Sequence, residues 1–108
     1  MAERATGGCL CGGVRFAVDG QLRPVIFCHC EQCKRFSGHF VGATACDATA
    51  LTVENDKSLR WYRSSPDAER GFCSTCGGSL FWKPGHGRYV SIMAGAFDDP
   101  NILTGGEH

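Results

Sequence analysis

The sequence has no excess charge of either sign, no long apolar run and no extended helical periodicity. Lys and Arg together number 11, as do Asp and Glu, so the formal net charge is zero. Nucleic-acid-binding domains usually carry a basic excess, so we expect no nucleic-acid partner. No apolar stretch approaches the roughly 18 residues of a membrane-spanning helix, and we expect no membrane partner. The first residues, MAERATGG, lack the apolar core of a signal peptide, which predicts a cytoplasmic protein.

Glycine and cysteine are abundant instead. A chain of 108 residues has the size of one domain. Its 15 glycines imply many turns and a large loss of backbone entropy on folding, which metal ions or disulfides must help to offset. In a reducing compartment, clustered thiols bind metal more often than they pair. We therefore predict a single zinc-binding domain over residues 1–108.

The secondary-structure signals are short and mostly of the β type. Residues 12–19, GGVRFAVD, alternate apolar and other side chains, and residues 25–27 form a short apolar run. Residues 31–38 fit about two helical turns that end at a glycine, whereas 98–100, DDP, are predicted to form a turn rather than a carboxylate pair. Further β-prone segments are 40–45, 51–53, 59–63, 69–72, 79–82 and 88–94. We predict a mainly β fold: small twisted antiparallel sheets with one short helix, stapled by zinc.

A structural zinc site is predicted from two cysteine pairs at opposite ends of the sequence. Cys73 and Cys76 form a C-x-x-C turn followed by glycine, which lets backbone N–H groups approach the sulfurs. Two thiolates are half of a tetrahedral site, and Cys9 and Cys11 are the other isolated pair. Four thiolates from the first and last thirds of the chain would then close one zinc site.

A second zinc site is predicted at the triplet Cys28, Cys30 and Cys33. Cys28 and Cys30 are two residues apart at a strand end, and Cys30 and Cys33 are one helical turn apart, so the three sulfurs should converge. Three protein ligands with a vacant fourth position are typical of catalytic zinc. We predict that water or a substrate atom fills this position.

The alternative is a second closed site, in which His29, His39 or Cys46 supplies the missing ligand. The protein would then be a zinc-stapled interaction module without turnover. Cys46 is better explained as a small buried hydrophobe, and isolated histidines in turn-like surroundings are mostly solvated or packed.

Four segments resemble the glutathione-dependent formaldehyde-activating enzyme family, which includes centromere protein V-like proteins: GGCLCGGVRF, FCHCEQCKRFSG, YRSSPDAERGFCSTCGGSLFW and GAFDDP. The resemblance runs from about Gly8 to Pro100, and all seven clustered cysteines fall on the family's pattern. It implies a β-tent-like fold with the same division into a structural and a catalytic zinc. Family members usually continue beyond the region of His108 with another strand and a tail, whereas this sequence ends at ILTGGEH.

The activity that the resemblance implies is that of S-(hydroxymethyl)glutathione synthase, a carbon–sulfur lyase. Two zinc ions would be the cofactors and glutathione the co-substrate, with formaldehyde as the small-molecule partner. Because glutathione carries two carboxylates, we expect cations beside the site, first Lys34 and Arg35, then Arg63. An enzyme for a different glutathione conjugate, such as a halogenated or aromatic one, is a further hypothesis. The sequence does not predict an oligomeric state.

The aromatic residues Phe36, Trp61 and Trp82 are candidates for the wall of a substrate pocket. Aromatic side chains in short strands more often belong to the core, so the core is the competing interpretation for each.

Overall fold

The computed structural model describes residues 4–39 and 41–107. These residues form ten strands, one α-helix and three short 3-10 turns. Helix α1 spans Glu31–Ser37. The strands are β1 Arg4–Gly8, β2 Arg15–Asp19, β3 Val25–Cys28, β4 Val41–Asp47, β5 Leu51–Asn55, β6 Leu59–Ser65, β7 Ala68–Cys73, β8 Ser79–Pro84, β9 Tyr89–Met93 and β10 Gly105–Glu107. The predicted mainly β fold with one short helix is confirmed.

The strands are arranged in two sheets. The smaller sheet has the order β1-β2-β5 and the larger one the order β10-β3-β4-β9-β8-β7-β6. Neighbours among the described strands are antiparallel, except that β10 runs parallel to β3 at the edge of the larger sheet. No helix in the described residues is long and apolar enough to cross a membrane.

Two strands were not predicted, β1 and β10. Their sequences, RATGG and GGE, contain no run of large apolar side chains, so they show no strand periodicity. Both segments are strands because they pair with a neighbouring strand. β1 lies beside β2 over five residue pairs, and β10 lies beside β3. The predicted segment 40–45 corresponds to β4, and its residue 40 lies outside the described residues.

The main core contains side chains from both sheets, with Phe16 of β2 at its centre. The Phe16 ring meets the rings of Phe81 and Phe97 edge to face, each with a centroid distance of 5.4 Å. Such contacts add about 0.5–1.5 kcal/mol per pair to the burial of apolar area. The cluster also includes Cys46 and Cys73, so two cysteines pack in the core.

Helix α1 is short, and Cys33 is its buried residue. The helix begins after Cys30, whose sulfur accepts a hydrogen bond from the Cys33 N–H. It ends at Gly38, which has a φ of 85° and donates its N–H to the Lys34 carbonyl at 2.7 Å. Cys33 packs with Val41 and Ala43 of β4 in a second, smaller cluster. The helix therefore orients one cysteine towards the larger sheet.

Candidate metal centres and the adjoining cavity

Cys9, Cys11, Cys73 and Cys76 form the first cluster, and their sulfurs all lie within 4.8 Å of one another. Cys9 and Cys11 lie in the loop before β2, Cys73 ends β7, and Cys76 lies in the turn to β8. The Sγ–Sγ distances are 3.7 Å from Cys9 to Cys11 and 3.6 Å from Cys11 to Cys73. A zinc–sulfur bond of about 2.3 Å gives a tetrahedral edge of about 3.8 Å. The four sulfurs therefore fit a tetrahedral zinc.

Backbone N–H groups point at these sulfurs. Cys73 Sγ accepts from the N–H groups of Thr75 and Cys76, each at 3.4 Å, and Cys9 Sγ accepts from Val14 at 3.3 Å. The N–H of Cys76, followed by that of Thr75, lowers the pKa of Cys73 to about 6. The turn that the C-x-x-C sequence predicted thus favours a thiolate at the most buried sulfur of the cluster.

The pKa of Cys11 shifts in the opposite direction to that of Cys73. The Gly13 N–H lowers its pKa, but contact with the Cys73 sulfur, burial and the other neighbouring sulfurs together raise it to about 11. Four sulfurs this close repel one another when all are ionised, so a cation is needed to hold four thiolates together. This electrostatic requirement agrees with the geometry of a metal site.

Cys28, Cys30 and Cys33 form the second cluster, again with all sulfurs within 4.8 Å of one another. The Sγ atoms of Cys28 and Cys33 are 3.2 Å apart, and Cys30 Sγ accepts the Cys33 N–H at 3.4 Å. Within the described residues, no further Cys, His, Asp or Glu belongs to this group. The structure thus brings together the three residues that spacing predicted and leaves His29, His39 and Cys46 outside the cluster.

The surroundings of the triplet shift the pKa values of Cys30 and Cys33 in opposite directions. Hydrogen bonds from the Cys33 side chain and backbone lower the pKa of Cys30 to about 7. Burial raises the pKa of Cys33 to about 12. Cys46 is buried in the main core, where burial raises its pKa to about 11, as expected for an inert thiol.

Arg70 in β7 is a functional candidate that the sequence analysis did not identify. It is only 4% exposed, and its Nη1 and Nη2 atoms lie 3.7 and 3.6 Å from Cys33 Sγ. Its guanidinium carbon lies 5.3 Å from the centroid of the Phe36 ring, and its Nε is buried without a hydrogen-bond partner. A signal was present in the alternation of β7, because Arg70 shares a face with the buried Ala68.

An open cavity of about 440 Å³ adjoins the triplet. Its described lining contains two cations, Arg23 and Arg70, and no carboxylate. Most of the remaining wall is apolar. The cavity is lined by Arg23, Ile26, Cys28, Cys30, Gln32, Cys33, Val41, Ala43, Ser65, Ala68, Arg70, Trp82, Tyr89, Ser91 and Met93. The three sulfurs therefore face a space that a small molecule can enter.

The cations predicted to contact glutathione do not line this cavity. Lys34 and Arg35 are exposed on α1, and Arg35 pairs with Glu31 at 3.4 Å. Arg63 donates to the Pro66 carbonyl at 3.1 Å and lines a separate cavity of about 350 Å³. Their contact with glutathione stays a prediction.

The three aromatic candidates occupy different places. Trp82 lines the cavity, and Phe36 lies against the Arg70 guanidinium. Trp61 stacks on Phe81 with a centroid distance of 5.9 Å, so it belongs to the margin of the core.

A larger cavity, of about 660 Å³, lies on the far side of Arg23, between the β2–β3 connection and the end of β4. Its described lining includes Cys46 and two aspartates, but neither cysteine cluster. We therefore place the candidate chemistry in the smaller cavity, because reactive groups converge there.

Comparisons with known proteins identify the family and a structure of similar fold. The sequence profile of a family described as "Glutathione-dependent formaldehyde-activating enzyme" matches residues 4–108. An uncharacterized lyase of Schizosaccharomyces pombe is 30% identical over 82 residues, which are 76% of this chain and 59% of that protein's length. A crystal structure of a Rhodobacter sphaeroides protein matches with a TM-score of 0.74 and 20% identity, over 94% of this chain and 99% of that one. The last likeness concerns the fold alone.

Proposed function

Because the chain belongs to the glutathione-dependent formaldehyde-activating enzyme family, we propose that it is a cytoplasmic, zinc-dependent carbon–sulfur lyase. It would join glutathione to formaldehyde as S-(hydroxymethyl)glutathione and also run the reverse reaction. One observation carries the proposal: the three converging sulfurs of Cys28, Cys30 and Cys33 line an open cavity. Three protein ligands beside an accessible space are the arrangement of a catalytic zinc.

The seven clustered cysteines would hold two zinc ions in different roles. Cys9, Cys11, Cys73 and Cys76 supply four sulfurs and would close a structural site. The triplet supplies three, which leaves one position for a substrate sulfur. Zinc bound there would lower the pKa of an entering thiol, so that the thiol binds as a thiolate at neutral pH.

The reaction requires one carbon–sulfur bond to form. The glutathione sulfur attacks the carbonyl carbon of formaldehyde, and the carbonyl oxygen receives the electron pair and then a proton from solvent. In reverse, the hydroxyl proton leaves, the carbonyl reforms and the sulfur keeps the electrons of the broken bond. The wall of the cavity is largely apolar, and electrostatic interactions beside apolar surface are stronger than in bulk water.

Arg23 is positioned to bind a carboxylate of glutathione at the cavity wall. Its Nη2 donates to the Ala43 carbonyl at 3.1 Å, and its Nε lies 3.4 Å from the Pro24 carbonyl, so the side chain is held along the sheet. It is exposed and keeps further N–H donors for an anion. Lys34, Arg35 and Arg63 remain the more distant candidates for the second carboxylate.

Titration of glutathione into cobalt-substituted protein tests the proposal. We expect the thiolate-to-cobalt charge-transfer band to change as the glutathione sulfur binds. S-methylglutathione is the matched control, because it has no ionisable thiol and should leave this band unchanged. Cys30→Ser should retain its fold but lose one metal ion and the response to glutathione.

No spectral response to glutathione in the protein with two cobalt ions would contradict an open site. The protein would then be better described as a metal-stapled interaction module, in which the second ion is already fully coordinated.

A further inference from the structure

The floor of the 440 Å³ cavity is one face of the larger sheet. Ile26, Ala43 and Met93 lie opposite one another across β3, β4 and β9, so their side chains share a face. Cys28 is two residues from Ile26 on β3 and therefore points to the same face. The reactive sulfurs thus border a patch of apolar side chains.

A second cross-strand row extends this face. Trp82 of β8 lies between Arg70 of β7 and Ser91 of β9. Tyr89 precedes Ser91 by two residues, and its ring centroid is 6.1 Å from that of Trp82. Two aromatic rings therefore stand beside the apolar row.

Two large hydrophobic side chains at this cavity are exposed. Ile26 is 43% exposed and Tyr89 is 36% exposed. In the described part of the chain only two other large hydrophobic residues are exposed, Leu10 and Tyr62, and neither lines this cavity. Exposed apolar surface beside reactive groups is typical of a ligand site.

Formaldehyde cannot account for this surface, because it consists of one carbonyl carbon and its oxygen. A cavity of about 440 Å³ can hold glutathione, so the observation that points to a further group is the apolar character of the wall. The glutathione backbone is polar and carries two carboxylates, so it matches Arg23 better than it matches Trp82 or Ile26. The wall has an excess of apolar area that neither reactant of the proposed reaction would cover.

We propose that this apolar patch, formed by Ile26, Ala43, Trp82, Tyr89 and Met93, binds the carbon substituent on the substrate sulfur. The inference rests on the proposed function and extends its substrates to glutathione hemithioacetals of aldehydes with an aromatic or branched alkyl group. The reaction is unchanged: the carbon–sulfur bond breaks, its electrons stay on sulfur, the hydroxyl proton leaves and the aldehyde carbonyl forms.

Binding of two stable thioethers to the zinc-loaded full chain tests the patch. S-benzylglutathione and S-methylglutathione carry the same charges and differ in the apolar group that the patch would cover. Calorimetric titration should show that the benzyl compound binds at least about tenfold more tightly. Trp82→Ala should reduce this preference to less than about threefold.

Matched variants make the test specific. Tyr62→Ala removes an exposed aromatic ring from β6, outside the cavity, and should keep the full preference. Ile26→Ser changes an exposed residue of the patch and replaces Trp82→Ala if that variant does not fold. Equal affinity for the two thioethers in the wild-type protein would overturn the inference. A benzyl preference that survives both Trp82→Ala and Ile26→Ser would do the same.

Failure of the proposed function would give a different result. A cobalt band that does not respond to glutathione contradicts the open metal site, whatever the relative affinity of the two thioethers. A normal response to glutathione without a benzyl preference overturns the patch and leaves the lyase proposal standing.

A second inference comes independently from Arg70. In the described residues this buried guanidinium makes no ion pair with a carboxylate, and the ionisable group that it contacts is the sulfur of Cys33. A buried charge is strongly unfavourable unless it is paired. Three thiolates and one divalent ion would carry a single net negative charge, which Arg70 can balance.

We infer that Arg70 is a positioning residue for the metal at Cys28, Cys30 and Cys33. Its two N–H groups hold the Cys33 sulfur in place, and its charge favours the metal-bound thiolate state. Residues that support metal ligands in this way typically contribute about 10- to 100-fold to metal affinity.

Competition with a chromophoric chelator measures this contribution. Arg70→Gln should weaken binding of one zinc ion by about 10- to 100-fold and leave the other unchanged. In cobalt-substituted protein it should also shift the charge-transfer band, because the sulfur loses two hydrogen bonds. Arg70→Lys keeps the charge without the two-pronged contact and should restore part of the affinity.

Arg23→Gln is the matched control, since it removes a cation from the same cavity. The described contacts of Arg23 are with carbonyls rather than sulfur, so metal affinity should stay at the wild-type value. A wild-type affinity and spectrum in Arg70→Gln would overturn the inference. If Arg70→Gln does not fold, Arg70→Lys replaces it. Wild-type metal affinity and a wild-type spectrum in Arg70→Lys would then overturn the inference.

Discussion

Arg15 and Asp98 form a two-pronged ion pair across 83 positions of the sequence. Arg15 Nη1 donates to Asp98 Oδ1 at 3.0 Å, and Nη2 donates to Oδ2 at 2.6 Å. The Thr6 hydroxyl donates to the same carboxylate at 2.7 Å, and the Asp98 N–H donates to the Thr6 carbonyl at 2.9 Å. Asp98 therefore ties the segment after β9 to both β1 and β2.

We expect Asp98→Asn to lower stability with a characteristic pH dependence. The Arg15 guanidinium, followed by the Thr6 hydroxyl, holds the pKa of Asp98 at about 2, against an ordinary 3.8. A depressed carboxyl pKa stabilises the folded state above the unfolded-state value, and the stabilisation is lost as the pH falls towards 2. The difference in unfolding free energy between wild type and Asp98→Asn should stay constant from about pH 7 to 5 and shrink below about pH 4.

Urea unfolding at several pH values measures this difference, down to the lowest pH at which both proteins remain folded. Arg15→Gln provides the partner for a double-mutant cycle. If the ion pair is responsible, the double variant should be less destabilised than the sum of the two single variants. An additive double variant would contradict the pairing.

Gly7 should tolerate no side chain, for reasons of packing rather than backbone angle. A Cβ built there would overlap the Ala96 carbonyl oxygen and lie 2.5 Å from Phe16 Cζ. Gly7→Ala must therefore push β1 away from the core, and we expect a loss of about 1–3 kcal/mol in the free energy of unfolding. Gly95→Ala is the control, because nothing lies within 4 Å of its Cβ position. Comparable midpoints for the two variants in chemical denaturation would refute the clash.

The parts of the site that depend on local spacing could be predicted from the sequence. Cys28 and Cys30 at a strand end, with Cys33 one helical turn later, converge through local geometry alone. The C-x-x-C turn at Cys73 is equally local, and its N–H contacts follow from the turn. For these residues the distances in three dimensions are set by distances along the chain.

The parts that depend on strand order could not be predicted. Lys34 and Arg35 directly follow Cys33 in sequence, but both are exposed on the helix and neither lines the cavity. The cations that line the cavity, Arg23 and Arg70, come from segments that only sheet pairing brings together. Likewise, the DDP segment was predicted as a turn, and the sequence contained no sign that its first aspartate bonds to β2.

Cys73→Ser should abolish the first metal site and the cooperative fold together. Cys73 is fully buried, receives two backbone N–H groups and packs in the main core. Binding energy at such a site is folding energy, so its loss should leave an expanded or aggregated protein. Elemental analysis and circular dichroism measure the two effects. Cys46→Ala is the control, and it should keep both metal ions because Cys46 belongs to neither cluster. A Cys73→Ser protein that unfolds like wild type would contradict a structural site.

Metal removal should occur in two steps with different structural consequences. The triplet offers three sulfurs beside an open cavity, so a chelator can bind its metal at the remaining position. The other ion would be held by four sulfurs that join the loop before β2 to the end of β7, so its release removes a link between distant parts of the fold. We expect one zinc equivalent to leave while the circular dichroism spectrum stays native, and the second to leave only as the spectrum changes. Cys30→Ser should show the second step alone. Release of both equivalents in a single step that coincides with unfolding would mean that the two clusters are equally structural, and the triplet would then have no distinct role in chemistry.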